Sequence, residues 1–198
     1  MGQHIDNLAA LIGSRICHDL ISPIGAVTNG LELMSMSGGT GPELELVNES
    51  AVNANARVRL FRLAFGQAAP DQHCRGEEIA GILGDVYGNS RLTVDWAPPT
   101  TLSRPDAQAL ILALLCCEQA VPHGGTVSLS GLPNGWRVMA TGPRLAPDAA
   151  LWANLSRPFH DSDLTPAHVQ FALLPRLLAE RGKACTYQIT TTAVSLTF

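Results

Sequence analysis

The stretch Arg15-Ile16-Cys17-His18-Asp19-Leu20-Ile21-Ser22-Pro23-Ile24-Gly25 brings together an imidazole, a carboxylate at the next position and a proline five residues on. Imidazole, with an unperturbed pKa near ~6.5, is largely neutral at cellular pH: one ring nitrogen is free to attack while the other keeps its proton. That is the chemistry of a nucleophile that can accept a group and give it up again. Asp19 has two readings, as a hydrogen-bond acceptor that fixes the tautomer of His18 or as a solvated helix carboxylate. A proline inside a helix removes one hydrogen bond and crowds the carbonyl four residues back, here that of Asp19, so a kink beside an exposed imidazole calls for a reason.

The elements that must hold these residues follow from periodicity. Apolar residues recur three or four apart at Ile5, Leu8, Ile12, Ile16, Leu20, Ile24, Val27, Leu31 and Met34, which predicts one helix from Ile5 to about Met36. Gly38-Gly39-Thr40-Gly41-Pro42 breaks it, and Leu44, Val47, Ala51, Ala54, Val58, Phe61 and Phe65 then predict a second long helix with the seam of a bundle. Two helices joined by a short loop pack antiparallel, but a lone hairpin leaves part of each wide apolar stripe wet. Burial at ~25 cal/mol per Å² favours a homodimer that closes a four-helix bundle. On the first helix Ser14, Ser22 and Gly25 lie above and below His18, a small polar face that lets a docking partner bring its backbone close to the ring.

Gly66 to Asp71 reads as a linker, dividing the chain into residues 1–68 and 73–198. The second part predicts a helix at Gly76–Tyr87, a strand at Leu92–Trp96 and a buried helix at Pro105–Ala120. A hairpin of Val127–Leu132 and Trp136–Thr141 follows, then helices near Asp148–Leu155 and Pro166–Arg181, and a terminal hairpin from Cys185 to Phe198. The whole is α+β, the second part a sandwich of helices on a mixed sheet.

Composition narrows the function classes. With 198 residues, 46% apolar, 15% charged and a net charge of −4, the chain has no electrostatic footprint for nucleic acid. Its longest apolar run, Ala109 to Cys117, falls far short of the roughly 20 residues of a membrane span, and the amino terminus has no signal-peptide character. No membrane association and a cytoplasmic location are expected. Five cysteines without a C-x-x-C spacing read as reduced thiols, mostly packed, with Cys17 a redox handle or a packing residue. His4, His73, His123, His160 and His168 show no metal-ligand spacing, and Arg57, Arg59 and Arg62 form a solvated or partner-facing stripe.

The order His-acidic-Leu-x-(Ser/Thr)-Pro at His18-Asp19-Leu20-Ile21-Ser22-Pro23 resembles the phosphoacceptor box of sensor histidine kinases. The element order of the second part is similar to that of their ATP-binding domain. Aligned with that domain's landmarks, the two asparagines are Leu112 and Cys116 and the lysine is Gln119. The adenine-reading aspartate is Ala140, a glycine is Arg144, and Leu164 to Val169 replaces the glycine-rich phosphate loop. Magnesium wants hard oxygen donors, and phosphates need backbone amides that approach closely, so neither metal nor nucleotide is expected here. Retaining the box while losing the ATP site resembles the ChpT-type histidine phosphotransferases, most clearly at Cys17 to Ala26, at Asn29-Gly30-Leu31-Glu32-Leu33 and at Arg62 to Gly66.

That resemblance implies a dimeric four-helix bundle carrying a degenerate kinase-ATPase-like domain. It implies transfer of a phosphoryl group through His18 from the receiver domain of a hybrid histidine kinase to the receiver domains of response regulators that control the cell cycle. No cofactor of its own is implied, because the receiver brings the Mg. Arg15 then either steadies phosphoryl oxygens or is a bundle-surface charge, and Ser22 either orients a water, contacts the partner or simply solubilises the helix. Three other readings remain at this point: a receiver-binding scaffold in which His18 stays unmodified, an ATP-dependent kinase with an unusual pocket, and a receiver phosphatase acting through Ser22.

Overall fold

The computed structural model describes residues 2–37, 42–158 and 164–198, with side chains described from Asn7 onward except at 37 and 42. The breaker at 38–41, Phe159 and His160 lie outside the described residues, as do the side chains of His4 and Ile5.

Helix α1 (Gly2–Ser37) continues through Pro23 and packs along α2 (Pro42–Phe65). Their close approach depends on Gly30, which is buried: a methyl group there would overlap Val47 Cγ2. The hairpin of this single chain does not cover its whole apolar stripe. Ile21 is 69% exposed and Met36 85%, while Ile24, Leu31, Leu44, Val52 and Val58 are also open to solvent.

The rest of the chain is two layers. Strands β2 (Leu92–Trp96), β4 (Gly125–Leu132), β5 (Gly135–Thr141), β6 (Thr186–Ile189) and β7 (Ala193–Thr197) form one sheet in the order β2-β4-β5-β7-β6. The β2–β4 pair is parallel, with α4 (Arg104–Gln119) in the crossover, and the other pairs are antiparallel. Alternation along β4, β5 and β7 turns Val127, Leu129, Val138, Ala140, Val194 and Leu196 toward the helices. Against them pack α4, α3 (Gly76–Tyr87) and α6 (Gln170–Glu180). Ser103 caps α4 by accepting from the Asp106 amide, with Pro105 in the first turn. Every residue from Ala107 to Cys117 is buried, which is why Cys116 and Cys117 can be neighbours on a helix and both be sealed. Gly124 turns with φ +93°, where a Cβ would strike the Arg91 carbonyl.

Three features differ from the sequence-based expectation. Strands β1 (His73–Arg75) and β3 (Thr101–Ser103) pair in a small antiparallel ribbon, each too short for alternation to show. The helix expected over Asp148–Leu155 is α5 (Ala149–Ala153), capped by Asp148, running into a 3₁₀ turn at Asn154–Ser156. The helix expected from Pro166 is a 3₁₀ turn at Pro166–His168, with α6 beginning only at Gln170.

The hairpin and the sheet layer share one core. Ala56, Leu60 and Ala64 of α2 pack into the same cluster as Ile79, Leu110 and Leu114. Gln108 Nε2 donates to the carbonyls of Ala64 and Gly66 at 2.9 and 3.0 Å, and Arg104 Nη2 donates to the Arg62 carbonyl at 2.6 Å. The end of α2 and the first residue of the stretch read as a linker are therefore fastened to α4.

Candidate functional site

Helical spacing puts Arg15, His18, Asp19 and Ser22 on one face of α1. They line a groove whose far wall is Asn53 and Arg57 of α2 with Glu118 at the end of α4. The His18 side chain is 85% exposed, and its Nδ1 lies 3.0 Å from Asp19 Oδ1. A carboxylate oxygen can only accept, so Nδ1 is the donor in this contact, and in the neutral ring it is Nε2 that keeps its lone pair for attack.

Asp19 is held from both sides. Its Oδ2 accepts from Arg15 Nε at 2.7 Å, its Oδ1 faces His18, and its side chain is only 14% exposed. It is not a solvated helix carboxylate. Nor is Arg15 a bundle-surface charge: its side chain is 10% exposed, and Nη1 donates to the Ala167 carbonyl at 2.5 Å. The spacing gave Arg15 the right helix face, but the partner that buries it lies 152 residues on. Ser22 is exposed at the edge of the groove. Ser14 is exposed too, and a Cβ added at Gly25 would meet nothing within 4 Å, so neither shields the ring.

Glu118 belongs to no motif, and its one signal in the sequence is an acid directly after the longest apolar run, Ala109 to Cys117. It accepts from the Tyr87 hydroxyl at 3.1 Å. Burial pushes its carboxyl above the ordinary range, against the pull of Tyr87, Arg15 and Arg57, and burial next to Glu118 pushes the Tyr87 phenol up as well. The raised folded value means that the native state holds this proton more tightly than the unfolded chain. Stability from this group is therefore full below the ordinary value of 4.5 and falls as pH rises through the folded value. Glu118→Gln is expected to raise Tm at pH 8, with the gain vanishing toward pH 4; a pH series of thermal melts checks this, and a variant less stable at pH 8 contradicts it.

The other histidines sit apart from this constellation. His73 Nδ1 faces the Asp71 carbonyl, and His123 is exposed in a loop. His168 pairs with Thr165 Oγ1, and burial together with the Arg15 charge lowers its pKa. The thiols are all free, with Cys17 exposed and Cys116, Cys117 and Cys185 buried. Among the described residues no three His, Cys, Asp or Glu side chains gather as a metal site, and no helix is long and apolar enough to cross a membrane. Of the positions aligned with nucleotide ligands, Leu112, Cys116 and Ala140 are buried apolar or thiol side chains.

A long helical hairpin displaying an exposed imidazole is joined to helices packed on a mixed five-stranded sheet. Residues 76–193 match the family described as histidine phosphotransferase C-terminal domain, and the chain belongs to that family. It is 36% identical over 126 residues to the protein phosphotransferase ChpT of Brucella abortus (strain 2308), a match covering 62% of this chain and 60% of that relative. The chain thus spans three fifths of the length of that curated relative. A solved structure described as a bacterial phosphotransferase superposes over 96% of this chain and 95% of its own, with 29% identity and a TM-score of 0.76.

Proposed function

We propose that this chain is a histidine phosphotransferase of a phosphorelay, moving a phosphoryl group between receiver-domain aspartates through His18. The observation that carries the reading is the exposed Nε2 of a ring whose Nδ1 faces a braced carboxylate. In the forward step the Nε2 lone pair attacks the phosphorus of a donor receiver's phosphoaspartate. The P–O bond to the aspartate breaks, that carboxylate leaves as an anion, and Nδ1 keeps its proton against Asp19. The step reverses onto the aspartate of a response regulator. The donor is the receiver of a hybrid histidine kinase, and the receivers supply the magnesium that neutralises the transferring charge.

Two further properties belong to the same reading. The apolar side chains left open along α1 and α2 are covered by a second copy, giving a homodimer with a four-helix bundle. The sheet domain holds no nucleotide, because alkyl and thiol side chains occupy the positions where ligands for magnesium and adenine would stand. The protein works in the cytoplasm, away from membrane and nucleic acid.

The test is one tube holding the chain, a phosphorylated hybrid-kinase receiver and an unphosphorylated response-regulator receiver. Acid-labile label is expected first on the chain and then on the second receiver. Label that reaches the second receiver equally fast without the chain sinks the reading. Titration with Mg-ATP should give no binding heat, whereas a micromolar constant would return the chain to the kinases.

A further inference from the structure

The exposed imidazole is tied, through two charged side chains, to the sheet domain. Asp19 uses one oxygen for His18 and the other for Arg15, and Arg15 continues to the Ala167 carbonyl. That carbonyl also accepts from Gln170 Nε2 at 3.0 Å, so both of its lone pairs are engaged. Gln170 is fully buried, and the same amide lies 3.4 Å from the Leu115 carbonyl of α4. The chain of contacts therefore runs from the core helix to the ring. A second, apolar contact fixes the same two segments: Leu8 of α1 packs with Val169 and Ala172, and Leu11 and Ile12 flank the cluster.

We infer that the Pro166–His168 segment positions the phosphoacceptor ring, with Arg15 and the Ala167 carbonyl acting as positioning groups through Asp19. The inference rests on the phosphotransfer reading and assigns the domain without nucleotide a part in it. An aspartate beside an exposed histidine on a free helix would sample several rotamers and leave the ring free to turn and change tautomer. Arg15 removes that freedom through a short charge-assisted bond whose own donor is anchored. Burying a guanidinium is costly unless its N–H groups are satisfied, so the Ala167 carbonyl holds Arg15 in place as much as the carboxylate does. The outcome is a ring that keeps its proton on Nδ1 and offers Nε2 along a fixed direction, the kind of outer support whose loss costs about 10-fold or more in rate.

Arg15→Met keeps the aliphatic stem and removes the donors. Two measurements follow: the ¹⁵N spectrum of the His18 ring, and the rate at which phosphoramidate labels the full chain. In that reaction the P–N bond of phosphoramidate breaks, the Nε2–P bond forms and ammonia leaves, with no receiver involved. The variant is expected to lose the Nδ1–H preference of the wild type and to label about 10-fold more slowly, and Arg15→Lys to recover part of both. A wild-type tautomer and a wild-type rate in Arg15→Met overturn the inference.

If Arg15→Met fails to fold, Gln170→Met decides, since it removes the bond that ties the Ala167 carbonyl to the core and also removes the Oε1 atom that has no hydrogen-bond partner. It should shift both readouts in the same direction, and two unchanged readouts again overturn the inference. If wild type and His18→Ala label equally, it is the phosphotransfer reading that fails. The tautomer spectrum of the Arg15 variant then still decides whether the brace exists.

Discussion

Replacing His18 by alanine is expected to reduce acid-labile label from a phosphorylated receiver to background while leaving the fold intact. The first half follows from the site: no other described histidine combines exposure with a carboxylate against Nδ1. His73 and His123 are exposed without one, and His168 is paired with Thr165. The second half follows from the exposure of the His18 side chain, which makes no packing contact worth more than about 0.5 kcal/mol. Autoradiography after a fixed incubation, with a thermal melt of the same preparation, reads both. Label persisting on a folded His18→Ala protein would place the chemistry elsewhere, and loss of fold would mean that the exposure is wrong.

The largest stability effect is expected at Trp152. It is fully buried, with its ring 5.7 Å from Phe171 of α6 and 5.8 Å from Tyr187 of β6, both edge-on. It thus closes α5 over the seam between a core helix and the sheet edge. Trp152→Ala removes the ring and both aromatic pairs and leaves a cavity, a loss of about 3–5 kcal/mol. For a chain of this size that is a fall in Tm of roughly 6–20 °C. Scanning calorimetry or circular dichroism measures it, and a fall of only one or two degrees would show that the surrounding side chains collapse into the space.

Much of this architecture was legible because its elements are long or strongly patterned. The hairpin helices, the buried α4 and the β4–β5 hairpin follow from spacing and from the turn residues Pro133-Asn134-Gly135, the α+β class follows from their order, and the family from the His18-to-Pro23 box together with the lost ATP-site residues. The three-residue strands β1 and β3 left no periodic trace, and 3₁₀ turns at Asn154 and Pro166 look helical in sequence because their spacing is nearly the same. In the site, two turns of helical spacing suffice to group Arg15, His18, Asp19 and Ser22. What spacing cannot convey is how Arg15 is buried, because a backbone carbonyl has no side-chain signature and this one lies 152 residues away. The same holds for Glu118, whose neighbours Tyr87 and Asp19 come from other elements.

The continuous core between α2 and the sheet layer bears on how such a molecule can move. A catalytic lobe that must swing to bring ATP to a stalk needs a slippery joint, yet here Leu60 and Ala64 are sealed against α4 and the Ala64 carbonyl is clasped by Gln108. Swinging would expose oil and break that clasp at every turnover. The molecule is better suited to standing still while its visitors come and go.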